Sequence, residues 1–171
     1  MCSSDLNDTD PILRQPAVNF DFNSGIDPEQ LSKDMAEVMF NNGGLGLAAP
    51  QVGLNYRMFL MGDPESAVAC FNPRIVEVSQ ETTYDVEGCL SFPGLFLKVQ
   101  RPKEVVTEFT DSNGDQQTMT FVDIMARCFC HELEHLDGVL YTDKVAKLTL
   151  QMAQKKQRQL LKKLKRKAKR G

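Results

Sequence analysis

The chain has two histidines, and they fall four residues apart in the run His131-Glu132-Leu133-Glu134-His135. On a helix, positions four apart share a face and are separated by about 6 Å along the axis. Two imidazoles so placed can grip one metal ion from the same side, with Glu132 between them to take and give a proton. A divalent ion held that way makes water a usable nucleophile near neutral pH. The competing reading is a pair of packed or solvated histidines at this spacing by chance. It leaves the glutamate without a purpose.

A catalytic site of this kind takes three protein ligands and keeps one position open. With the histidines used, the third ligand is Cys, Asp or Glu. Residues 136–141 contain no histidine and no glutamate follows Glu134, so the ligand sets of the extended metalloprotease motifs are missing. Asp137 and Asp143 fall where the helix must turn away. Cys128 shares the histidine face but lies about 10 Å along the axis from His135, whereas a metal–sulfur bond is only about 2.3 Å. Cys89 follows a glycine in a different element and can approach the open side. It is the expected third ligand. Cys2, Cys70 and Cys130 read as core or surface thiols.

The histidines need a helix, and residues 121–135 have the composition for one. A second helix is signalled at Asp27-Pro28-Glu29-Gln30: an acidic cap, proline at the first helical position, and Gln30 placed for a capping box. Leu31, Met35, Val38 and Met39 continue it as an apolar stripe, and Gly43-Gly44 ends it. Strand-like runs occupy 57–61, 67–71, 75–78, 105–109 and 118–122, the last two flanking an Asn113-Gly114 hairpin signal. Strands ahead of one buried helix predict an α+β fold, mainly antiparallel, around that helix.

The 171 residues suffice for one domain with a proper core, and the 42% hydrophobic and 25% charged content is that of an ordinary soluble protein. No apolar run approaches a membrane span, and the polar start MCSSDLNDTD does not read as a signal peptide. Five cysteines without paired spacing suit a reducing, cytoplasmic setting. Net charge is −3, but residues 151–171 hold ten Lys/Arg and no acid, while residues 1–150 hold the other ten and all 23 acids. A body of −13 therefore carries a tail of +10. The expected division is a catalytic domain over 1–150 and a basic amphipathic helix over 151–171, with Ala153, Leu160, Leu161, Leu164 and Ala168 at helical spacing. A frayed, solvated tail is the plain alternative.

Three segments, GLGLAAPQ at 44–51, EGCLS at 87–91 and HELEH at 131–135, resemble in order and spacing the GxGxAAxQ, EGCLS and HExDH motifs of the peptide deformylases. The resemblance runs from about Asp10 to Asp143. It implies a small α+β fold with a central metal-binding helix, and removal of the N-formyl group from the initiator methionine of nascent chains. Carried over by residue, it implies Cys89, His131 and His135 as metal ligands and Glu132 as general acid/base. Gln51 and the backbone N–H of Leu90 would face the oxyanion. Gly46 would let substrate backbone approach, and Leu45, Glu87, Arg127 and Cys128 would lie near the methionine pocket. The resemblance also implies ferrous iron in the cell, replaceable by zinc or nickel, and ribosome docking through the basic tail. A monomer without membrane association is expected.

Two positions depart from the family pattern. Glu134 stands where the family usually has Asp, and on a helical wheel Glu132 and Glu134 flank the metal-facing direction equally, so periodicity does not choose between them. The motif selects Glu132, and the family's pattern suggests Arg101 as an ion-pair partner for Glu134. Cys130 stands where glutamine is common; a buried small residue is tolerated there. Two other functions compete: a metalloprotease, and an RNA- or ribosome-binding module with a structural metal. A closed structural site would need four protein ligands.

Overall fold

A computed structural model describes residues 10–168. Cys2, the rest of the polar start, and tail residues 169–171 lie outside the described residues. Helix α1 (Pro28–Asn41) begins as its sequence dictates: the Asp27 carboxylate accepts the N–H groups of Glu29 and Gln30 at 2.9 and 3.2 Å. The expected capping box is half made, because the Gln30 amide donates forward to Asp34 at 2.7 Å. Met35 and Met39 are buried, and the helix closes at Gly43 with a φ of +66°.

Strands β1 (Gly46–Ala48), β2 (Met58–Met61), β3 (Val68–Val78), β6 (Glu104–Thr110) and β7 (Gln116–Val122) form a five-stranded antiparallel sheet in the order β1-β2-β3-β6-β7. The runs at 67–71 and 75–78 turn out to be one strand, β3, bent by register shifts between Phe71 and Arg74 and between Ile75 and Glu77. Asn72 takes a φ of +50° inside the first shift, and its side-chain amide nitrogen donates to the Phe20 carbonyl at 3.0 Å. The β6–β7 hairpin turns at Asn113-Gly114, where the Asp111 carboxylate accepts the N–H groups of Asn113 and Asp115 at 2.9 and 3.0 Å. A separate hairpin, β4 (Thr82–Glu87) with β5 (Leu97–Pro102), carries the EGCLS segment between its strands' ends.

Helix α2 (Asp123–Leu136) packs between the two sheets, against β1, β2, β6 and β7 on one side and β5 on the other. Nine of its residues are buried, from Ala126 to Leu136. It begins two residues later than expected, because Phe121 and Val122 still pair with Val105 and Glu104 across the sheet. Phe129 stacks on Phe121 and meets Phe59 edge-on, fixing the helix against the larger sheet. Helix α3 (Lys147–Ala168) is continuous across residue 150, so the basic tail is the distal part of a helix rooted at Lys147. No helix among the described residues is long and apolar enough to cross a membrane.

Candidate active site

Because α2 runs between the sheets, His131 and His135 on its inner face meet whatever the β4–β5 connection presents. It presents Cys89. Donor atoms of Cys89, His131 and His135 all lie within 4.8 Å of one another. Cys89 Sγ is 3.3 Å from His135 Nε2. The His131 Nδ1 faces Glu87 Oε2 at 3.1 Å, which leaves Nε2 for the cluster. Burial opposes protonation of His131, but Cys89 and Glu87 outweigh it and lift its pKa to about 10; burial pushes His135 well below the usual imidazole value.

The two glutamates flanking the histidine face separate cleanly. Glu134 Oε1 accepts from Arg101 at 2.6 Å and from Lys144 at 2.8 Å, which is the ion pair expected for it and a second one besides. Glu132 is only 4% exposed and has no ion-pair partner among the described residues; the Oε2 atoms of both glutamates lack a hydrogen bond, so the difference lies in the two cations on Glu134 Oε1. Burial raises its pKa to about 7, against a smaller opposing pull from His131. Gly46 makes room for that carboxylate: a Cβ there would collide with Glu132 Oε1 and lie 2.7 Å from Cys128 Sγ.

A cleft of about 550 Å³ opens over the cluster. Ten of the eleven expected site residues line it: Leu45, Gly46, Gln51, Glu87, Cys89, Leu90, Arg127, Cys128, His131 and Glu132. His135 lies behind, at 1% exposure. The heads of Glu87 and Arg127 are committed to structure. Glu87 accepts from Arg101 at 2.7 and 3.0 Å and from Arg127 at 2.8 Å, and Arg127 also donates to the carbonyls of Val99 and Thr83. Burial opposes ionisation of Glu87, yet hydrogen bonds from His131 and Arg101 hold its pKa down at about 2.

Gln51 is oriented at both ends. Its Oε1 accepts the Ala48 N–H at 2.8 Å, and its Nε2 donates to Ser91 Oγ at 3.2 Å and lies 3.4 Å from Cys89 Sγ. Sequence reasoning assigned no role to Ser91, although the EGCLS motif contains it. Tyr141 was missed altogether. Its ring lies 5.4 Å from the His131 ring, and its hydroxyl donates to the Leu95 carbonyl at 2.8 Å. Nothing in its spacing signals that contact.

A cleft that ends on a Cys-His-His cluster beside an unpaired buried carboxylate is the working arrangement of a metallohydrolase. Residues 6–151 match the family model described as Polypeptide deformylase. A peptide deformylase of Finegoldia magna is 47% identical over 146 residues, covering 83% of this chain and 88% of that one. A crystal structure of a peptide deformylase from Synechococcus elongatus in complex with actinonin superposes with a TM-score of 0.83 at 34% identity, over 91% of this chain and 89% of that one. One from Legionella pneumophila gives 0.85 at 30% identity, over 94% and 96%. The chain belongs to the peptide deformylase family. It is a hydrolase of that metal-dependent kind, removing the N-formyl group from nascent polypeptides.

Proposed function

We propose that Cys89, His131 and His135 hold one divalent ion and that Glu132 serves as the general acid/base. The donor set supports this: one thiolate and two imidazoles suit ferrous iron or zinc, and Glu132, a buried carboxylate without an ion-pair partner among the described residues, lines the same cleft. Ferrous iron is the ion assigned to the cell, with zinc or nickel able to replace it in purified protein. Bound there, the ion supplies Lewis acidity, lowering the pKa of water and polarising the formyl oxygen.

The chain's own residues do the rest. Glu132, with a pKa near 7, takes the proton of the attacking water and returns it to the leaving amine. Gln51 Nε2, turned inward because Ala48 occupies its oxygen, donates to the developing oxyanion together with the Leu90 N–H. One such donor contributes about 3–4 kcal/mol. Leu45, Gly46 and Cys128, with the stem of Arg127, line the recess assigned to the methionine side chain, while Glu87 and the Arg127 head hold its wall.

The observation that carries the reading is the convergence of Cys89 on the two helical histidines. Formate release from formyl-Met-Ala-Ser tests it. Release should match free amine one for one, stop with chelator and fail on the acetyl analogue; chelator-insensitive release would contradict it.

We also infer that the enzyme works as a cytoplasmic monomer whose α3 docks on the ribosome. Lys162, Lys163, Lys165, Arg166 and Lys167 are all exposed on its distal turns, a charge density suited to RNA phosphates. Replacing those five by Gln should abolish salt-sensitive co-sedimentation with ribosomes; undiminished co-sedimentation would count against docking.

A further inference from the structure

The connection from Cys89 to Leu95 forms one wall of the cleft and is restrained at separate points. Near its start, Ser91 Oγ takes a hydrogen bond from Gln51. At its end, Tyr141 Oη donates to the Leu95 carbonyl. Between them lie Pro93, which has no N–H to give, and Gly94, which has a φ of +75°; both line the cleft. Helix α3 holds that gap. Gln157 Nε2 donates to the Pro93 carbonyl at 2.9 Å. A Cβ on Gly94 would meet Leu160 Cδ2 at 3.3 Å, Gln157 Cγ at 3.8 Å and Leu161 Cδ2 at 4.0 Å, so the helix is seated directly against the glycine.

The same helix has one half-buried stripe: Leu150, Ala153, Gln154, Gln157 and Leu161. Leu150 and Ala153 pack on the cluster that contains Phe92, Leu95 and Tyr141. After Leu161 every residue to Lys167 is exposed. The last anchored turn of α3 is therefore the turn that touches the cleft wall, and the basic segment springs from it.

We propose that Gln157 is a positioning residue for the substrate cleft, with α3 acting through it to fix the Pro93–Gly94 turn. This rests on reading the cleft as the peptide-binding site. A turn that lacks an outside partner samples more conformations, and binding must then order it. The effect belongs in KM, because the turn lines the cleft and itself carries none of the proposed catalytic groups, Cys89 and Leu90 preceding it in the same connection.

The test compares Gln157→Glu with Gln159→Glu in the full, metal-loaded chain, using formyl-Met-Ala-Ser. Both variants add the same charge to α3, but residue 159 is exposed and the hydrogen bond to the turn comes from Gln157. Gln157→Glu removes the donor and sets a carboxylate against the Pro93 carbonyl. The expected result is a KM raised about fivefold, the scale of one lost hydrogen bond, with kcat within about twofold and Gln159→Glu like wild type. Equal KM in the two variants, or a loss confined to kcat, overturns the proposal. If Gln157→Glu does not fold, Gln157→Ala removes the same donor without adding a charge; an unchanged KM there is equally fatal. A wild-type chain that releases no formate would instead overturn the reading of the active site.

Discussion

Glu132 and Glu134 are chemically alike and two residues apart, yet the protein gives them opposite surroundings. Arg101 and Lys144 pair with Glu134, whereas Glu132 lines the cleft and has no ion-pair partner among the described residues. Glu132→Gln should therefore lower kcat by at least about a hundredfold while leaving metal content and melting temperature near wild type. Glu134→Gln should keep kcat within about tenfold and lose stability, since a buried arginine is left short of a partner. Equal collapse of kcat in both would undo the assignment. The sequence could not separate the two glutamates by periodicity, because the deciding contacts come from β5 and the turn after α2. Cys89 was favoured in the sequence over Cys128 and the aspartates after the helix, and the structure brings it beside both histidines. Ser91 was not legible, because its role depends on which way the Gln51 amide points.

At the level of elements, the β4–β5 hairpin is tied to α2 by Glu87, which is shared by Arg101, Arg127 and His131. Its pKa, held near 2 against an ordinary value of 4.5, means that the unfolded chain binds the proton more readily. The stabilisation is thus complete above about pH 4.5 and is lost as pH falls toward 2, amounting to about 3 kcal/mol. In chelator-treated protein, urea unfolding at pH 7 and pH 3 should reveal about two thirds of that loss. Glu87→Gln should be less stable at pH 7 by about 3–5 kcal/mol, with the acid-dependent part flattened. A variant with the same pH slope as wild type would show that Glu87 is not the titrating group. The hairpin itself escaped the sequence reading because β4 mixes exposed Thr82, Tyr84 and Val86 with no clean alternation. The late start of α2 has a similar origin: helical periodicity was visible from Phe121, but pairing with β6 claims the first two residues.

Across the whole molecule, one fold joins the cleft to the basic segment. The sheets enclose a helix that carries His131, Glu132 and His135, and α3 runs from the cleft wall to an exposed basic tip. The α+β class, the central helix and the charge split were all readable from composition and periodicity. The rooting of α3 on the catalytic body was not, since its contact stripe is polar at Gln154 and Gln157 and looks solvated. The proposed hydrolysis turns on Cys89 completing a metal site begun by His131 and His135. Metal content of the wild type and of Cys89→Ala, purified anaerobically and assayed for formate release, tests this most directly. The wild type should carry one divalent ion per chain, and Cys89→Ala should lose both the ion and the activity. A Cys89→Ala protein that keeps its metal and still releases formate at the wild-type rate would contradict it.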